Sequence, residues 1–359
     1  MSSNIHLRGL NGIRAIAALA VVFSHISLSL KLFGFKKSFT NDLAAFGVTI
    51  FFALSGFLIT YLLIREKEKF GDIKIKAFYL RRILRIWPLY FFYLLIVVVV
   101  LFFCMPETLP GSIAYYIFLG ANVPFIFNFS LALLGHYWSL GVEEQFYLFW
   151  PWIVKRSEKL LRFLLIFVAV FALLKIGMRL LDKQTGIQWP YLVLDVTRFD
   201  CMAIGAIAAV FYSRNEVYFF KVCFNKIVQT IAWLSLIFMA FNRFHIASVI
   251  DNEIVACIAV VLIVNVCANA GTIIDLEKPV FNFLGKISYG IYVYHPLVIF
   301  LTARTMQHFL KDTDDVLKSI FIYAFIPLFT IGIAYLSFTF LEKRFLSLKY
   351  SFSPVKSSM

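Results

Sequence analysis

The chain has 359 residues, 61% hydrophobic, 18% aromatic and 15% charged, with a formal net charge of +14 and a mean hydropathy of +0.85. That composition excludes an ordinary soluble domain, and several apolar runs reach the roughly 20 residues that cross a hydrocarbon core. The excess of Lys and Arg therefore reads as membrane topology, since cytoplasmic loops are enriched in both, and not as a nucleic-acid surface.

The first run, 12–34, is too long for a cleavable signal peptide and no small-residue cleavage site follows it. It contains RAIAALAVVFSH, which sets Arg14 and His25 about three helical turns apart, on one face and roughly 16 Å from each other. Ionisable groups inside a membrane helix cost free energy, so their default reading is functional. The alternatives are a snorkelling boundary arginine and a satisfied buried histidine. The second run, 42–64, carries GVTIFFALSGFLI. Gly47, Ala53, Ser55 and Gly56 read as a close-packing surface, and Ser55 has no base beside it in sequence.

The loop 65–85 is densely basic, and its second half reads as an amphipathic helix on the inner membrane surface. It ends in RRILRIWPLY. Arg82 and Arg85 share a helix face beside Arg81, a fork that suits phosphate oxygens. Topology control and anionic lipid headgroups compete for the same charges.

A third span covers 84–104. The stretch 112–130 is apolar but holds Gly120, Asn122, Pro124 and Asn128, so it reads as a re-entrant or interfacial element. The fourth span, 139–155, is entered through HYWSLGVEEQFY. Glu143 and Glu144 point about 100° apart on a helix, one toward the bundle and one toward the interface. Further spans are expected at 160–180, 197–213, 227–242, 252–269, 283–303 and 317–341. Asp195 and Arg198 are expected to pair along one helix face near Asp200, and Ser288, Tyr292 and His295 share a face in the ninth span.

With ten spans and both termini cytoplasmic, inner loops hold about 23 of the 34 Lys and Arg and outer loops about nine, and the outer stretch 105–138 holds none. The expected fold is all-α, a polytopic membrane helix bundle. The five cysteines read as small core hydrophobes, and no metal-ligand spacing is present.

In order, RAIAALAVVFSH, GVTIFFALSGFLI, RRILRIWPLY, HYWSLGVEEQFYLFWP, TRFDCMAIGA and LGKISYGIYVYHPLV resemble the acyltransferase family 3 membrane proteins from about residue 8 to 345. The resemblance implies a membrane domain over 1–345, a short cytoplasmic tail at 346–359 and no appended SGNH-type domain. It implies an enzyme of the bacterial cytoplasmic (inner) membrane that moves an acyl group, usually acetyl from acetyl-CoA, to a glycan such as O-antigen or exopolysaccharide, free or lipid-linked. The family's first-helix arginine and histidine match Arg14 and His25. Its arginine motif matches Arg81, Arg82 and Arg85, and its WSLxVEEQFY motif matches Trp138, Ser139, Glu143, Glu144 and Tyr147.

On that topology the four arginines are expected to hold the phosphates of acyl-CoA at the inner face. His25 is expected to deprotonate the acceptor hydroxyl or to carry the acyl group itself, with Glu143 or Glu144 orienting it or binding the sugar. Trp138, Ser139, Tyr147, Asp195, Arg198, Asp200, Tyr292 and His295 are expected to bind the acceptor or shape the site. The other readings are acylation of a macrolide-like metabolite and, from another class, a glycolipid transporter or flippase.

Overall fold

A computed structural model of the protein describes residues 7–104, 112–246 and 249–352, and every regular element among them is helical. Part of the expected outer stretch 105–138 (105–111) and of the expected tail (353–359) lies outside these residues. Apolar runs give long helices because a chain in lipid must satisfy its backbone internally. These are α1 (Leu10–Leu28), α2 (Leu43–Phe70), α3 (Ile75–Cys104), α7 (Leu160–Thr185), α12 (Asp251–Ala268) and α15 (Asp315–Ser337), which continues through a π-turn into α16 (Lys343–Ser351). Each is long and apolar enough to cross a membrane.

Two bent pairs raise the candidate spans to as many as eight. They are α10 (Val217–Phe224) with α11 (Lys226–Ala240), bent by 58°, and α13 (Pro279–Lys286) with α14 (Ser288–Phe309), bent by 65°. Helices also stand at the other two expected positions, α6 (Trp138–Arg156) and α9 (Phe199–Ser213). Glu143, Glu144 and Lys155 in α6, and the 15 residues of α9, keep them from qualifying alone.

The stretch 112–130 forms no span. It folds as two five-residue helices, α4 (Ile113–Ile117) and α5 (Asn122–Ile126), with left-handed backbone at Leu119 and Asn128. The amide of Asn122 pairs reciprocally with Gln145 and ties α5 to α6.

One expectation, the separate surface helix in the second half of 65–85, is corrected. Residues 75–85 are not a separate amphipathic helix; they are the first turns of α3, which passes Pro88 unbroken to Cys104. Thirty residues measure about 45 Å, more than the roughly 30 Å hydrocarbon thickness, so the basic end projects while remaining one rod. Gly71, left-handed at φ 73°, caps α2 and reverses the chain into α3. Lys155 at the end of α6 clamps that turn through Asp72 at 2.7 Å, and its hydrogen bond holds the Asp72 carboxyl below the usual carboxylate range.

The centre of the bundle is the α2–α9 crossing. A Cβ on Gly56 would lie 1.9 Å from the Met202 carbonyl oxygen, and one on Gly205 would lie 2.0 Å from that of Ala53. The backbones therefore touch, as small-residue interfaces in membranes allow. The expected packing role of the α2 small residues holds for Gly47, set against Ala17, and for Gly56.

Candidate functional site

A cavity lies among α1, α2, α3, α6 and α14. Arg14, Arg82 and Arg85 line it together with Ser55, Ser139, Glu143, Tyr147, Tyr289 and Tyr292. Arg82 and Arg85 reach it together because positions three apart share a helix face. The Arg82 guanidinium lies 5.6 Å from the Tyr147 ring centre and 5.7 Å from that of Phe78. The neighbouring Arg81 points elsewhere. It pairs with the buried carboxylate of Glu66 at 2.9 Å and donates to the Phe352 carbonyl at 2.9 Å.

The cavity continues into a second one, with which it shares Arg14, Arg85 and Tyr289. Lys286, Lys343 and Glu342 complete that vestibule. Three guanidiniums against the single carboxylate of Glu143 make the central cavity a host for anionic groups.

The two adjacent acids diverge as their helical spacing requires. Glu143 Oε1 accepts a hydrogen bond from Ser55 Oγ at 2.5 Å inside the central cavity. Glu144 Oε2 accepts from the Trp87 indole at 3.1 Å and lines a side cavity between α3 and α6 with Tyr79, Arg82 and Phe118. Neither hydrogen-bonds His25. The expected carboxylate-steered histidine is therefore replaced by a different pairing.

His25 Nδ1 lies 2.6 Å from His295 Nε2, with the rings stacked at 4.8 Å. His295 Nδ1 lies 2.7 Å from the Tyr292 carbonyl oxygen. A carbonyl only accepts, so in neutral His295 the proton is on Nδ1 and Nε2 is a lone pair. His25 must then donate through Nδ1–H, which leaves its own Nε2 as the basic nitrogen. His295 is fully buried, and α14 holds it by the residue three positions earlier.

His25 lines a third cavity with Ser29, Gly135, His136, Pro296 and Phe300. A short hydrogen-bonded chain joins the lining of this cavity to that of the arginine-lined one. In it Ser139 Oγ meets Tyr292 OH at 2.6 Å, and Tyr292 OH donates to the His136 carbonyl at 2.8 Å.

Trp138, Asp195, Arg198 and Asp200 line none of these four cavities. Trp138 packs edge-on against Phe52 and stacks on Phe125, with Arg198 5.4 Å from its ring centre. The expected Asp195–Arg198 ion pair does not form; Arg198 Nε donates instead to the Asp195 backbone carbonyl at 2.8 Å. Arg198 is left-handed at φ 44° and breaks the helix between α8 (Trp189–Thr197) and α9. The broken helix turns its guanidinium to the Ala45 carbonyl and Thr49 hydroxyl, each at 2.9 Å. Asp195 pairs with Lys175 of α7 at 3.1 Å, and Lys175 also holds Glu253 of α12 at 3.0 Å. Lys175 therefore ties α7 to α8 and α12, while Asp200 accepts from the Cys201 backbone N–H of its own helix at 2.9 Å.

Sequence reasoning passed over Lys175, although a lysine inside an apolar run was visible. It also missed the Ser55–Glu143 and His25–His295 contacts, which join segments 88 and 270 residues apart and leave no local signal.

The acyltransferase domain family model matches residues 7–339. A peptidoglycan O-acetyltransferase, OatA, of Listeria monocytogenes is 30% identical over 334 residues, 85% of this chain and 51% of that protein. An O-acetyltransferase OatA of Staphylococcus aureus is 26% identical over 368 aligned positions, 95% of this chain and 57% of that protein. A putative O-acetyltransferase of Staphylococcus aureus strain COL is 26% identical over 326 residues, 82% of this chain and 51% of that protein. The chain spans about half the length of these curated relatives. No solved structure matches.

Proposed function

The chain belongs to the acyltransferase domain family, and on that premise we propose that it is a multi-pass O-acetyltransferase of the bacterial cytoplasmic membrane, with ten membrane segments and both termini inside. It takes an acetyl group from cytoplasmic acetyl-CoA and passes it to a hydroxyl of a cell-wall glycan. The relative named for peptidoglycan moves the favoured acceptor from O-antigen or exopolysaccharide to peptidoglycan.

The observation that carries this reading is a pair of cavities whose linings meet in the Ser139–Tyr292–His136 chain. One is lined by Arg14, Arg82 and Arg85 and opens to a basic vestibule; the other holds His25. The arginines grip the phosphates of the donor, and the pantetheine arm carries the thioester toward the chain at Tyr292. His25 Nε2 takes the proton of the acceptor hydroxyl as its oxygen bonds to the thioester carbonyl carbon. The tetrahedral intermediate collapses with cleavage of the C–S bond, and the imidazolium returns the proton to the departing thiolate. His295 keeps His25 in the required tautomer, the part a carboxylate plays in hydrolase triads. Thioester and hydroxyl meet only if the Ser139–Tyr292–His136 chain opens, so that chain keeps water from the thioester until an acceptor is seated.

The test is reconstitution of the full chain in proteoliposomes with labelled acetyl-CoA and purified peptidoglycan strands. Label entering the glycan as base-labile ester supports the reading. Glycolipid movement across the bilayer without any ester would instead identify a flippase.

A further inference from the structure

The vestibule contains two cations that the transfer above does not use. Lys286 and Lys343 line it, both exposed, and neither has a hydrogen-bond or ion-pair partner among the described residues. Irregular backbone brings them there. Lys286 ends α13 at the 65° bend into α14. Lys343 follows the π-turn Phe338–Glu342, which is closed by the bond from the Lys343 N–H to the Phe338 carbonyl. In an unbroken α-helix residues 338 and 343 would lie about 140° apart. The π-turn instead brings Phe338 and Lys343 to one lining, with Leu346 and Ser347 on the same face of α16. Arg14 and Arg85 stand at the junction with the central cavity, so the vestibule sets four cations against the one carboxylate of Glu342.

The order of groups along the donor matches the order of charges along these cavities. From the thioester outward, acetyl-CoA carries its pantetheine arm, its diphosphate and then an adenosine with a 3′-phosphate. With the thioester at Tyr292 in the central cavity, the diphosphate falls to the arginines of the junction and the adenosine to the vestibule. A phosphate monoester has close to two negative charges at pH 7 and three acceptor oxygens. It suits a pair of compact ammonium groups with three donors each. We infer that Lys286 and Lys343 bind the ribose 3′-phosphate of the donor and so distinguish a 3′-phosphorylated carrier from one without that group. The inference rests on the proposed function, whose arginines hold the rest of the donor's phosphates.

The test compares two probes, acetyl-CoA and 3′-dephospho-acetyl-CoA. Their equilibrium binding to the full chain is measured by calorimetry in uncharged detergent, and their KM in phosphatidylcholine proteoliposomes. Wild-type protein is expected to bind acetyl-CoA at least tenfold more tightly, on the order of a hydrogen bond to a charged group. Lys286→Gln combined with Lys343→Gln should weaken acetyl-CoA about tenfold or more and leave 3′-dephospho-acetyl-CoA within about threefold, so that the two probes converge. Lys286→Arg combined with Lys343→Arg keeps both charges and should retain most of the preference.

Wild-type protein that binds both probes equally overturns the inference. So does a double glutamine variant that keeps the wild-type preference, the result expected if the lysines serve anionic lipid headgroups. Equal loss of both probes in that variant, down to no binding of either, also overturns it, because the lysines then act on the fold or on the diphosphate. Wild-type protein that binds neither probe overturns the functional reading and this inference with it; wild-type binding of acetyl-CoA with any of the preceding outcomes overturns this inference alone.

Discussion

His295→Phe keeps an aromatic ring in place and removes the nitrogen that His25 Nδ1 meets among the described residues. His25 Nδ1–H then faces a ring carbon in the middle of the bundle. Leaving a buried donor unsatisfied costs about 1–3 kcal/mol. At about 1.36 kcal/mol per tenfold, the population of His25 that presents Nε2 as a base falls roughly 5- to 150-fold. The arginine-lined cavity does not include His295, so donor binding is untouched. Initial rates in proteoliposomes should show kcat reduced by that factor and the KM for acetyl-CoA unchanged. His295→Gln, whose amide oxygen can face His25, should stay within about tenfold of wild type, as expected when an orienting bond of ordinary strength is partly restored. Wild-type kcat in His295→Phe would refute the orienting role, and so would a raised donor KM at constant kcat.

Arg85→Met should raise the KM for acetyl-CoA about tenfold or more, since a hydrogen bond to a charged group contributes about 1.5–3 kcal/mol; initial rates against donor concentration check it. Arg81→Met should instead lower the melting temperature in detergent and leave the donor KM alone, because its partner is the buried Glu66. Lys175→Met leaves Asp195 and Glu253 without their cation. It should cost about 3–5 kcal/mol of stability, read as a fall in melting temperature that Lys175→Met with Glu253→Gln partly reverses. Gly56→Ala drives a methyl group into the Met202 carbonyl and should cost about 1–3 kcal/mol or more by overpacking, again visible as a lower melting temperature.

What the sequence made legible follows from the range of the signal. Apolar runs of about 20 residues are local, and helices stand at all ten expected positions. Gly120, Asn122, Pro124 and Asn128 correctly marked a segment that does not span. The spacing of Arg82 and Arg85 put both into one cavity, and the spacing of Glu143 and Glu144 sent them into different ones. Partners across the bundle were not legible. Nothing near His25 announces His295, and nothing near Ser55 announces Glu143. Arg198 looked like the ion-pair partner of Asp195 only while the helix was assumed continuous; the left-handed break at Arg198 left it bonded to the Asp195 backbone carbonyl and gave the Asp195 carboxylate to Lys175. The basic loop read as a surface helix because its charges are amphipathic, whereas its backbone belongs to the rod of α3.

The central claim is that His25 is the base that joins a donor held by arginines to a glycan hydroxyl. The most direct measurement is acetyl transfer from labelled acetyl-CoA to peptidoglycan strands by His25→Ala in proteoliposomes, alongside binding of labelled acetyl-CoA to the same preparation. The account predicts transfer at least a hundredfold below wild type, on the order of general-base catalysis, with donor binding preserved. Transfer at the wild-type rate by His25→Ala would contradict it.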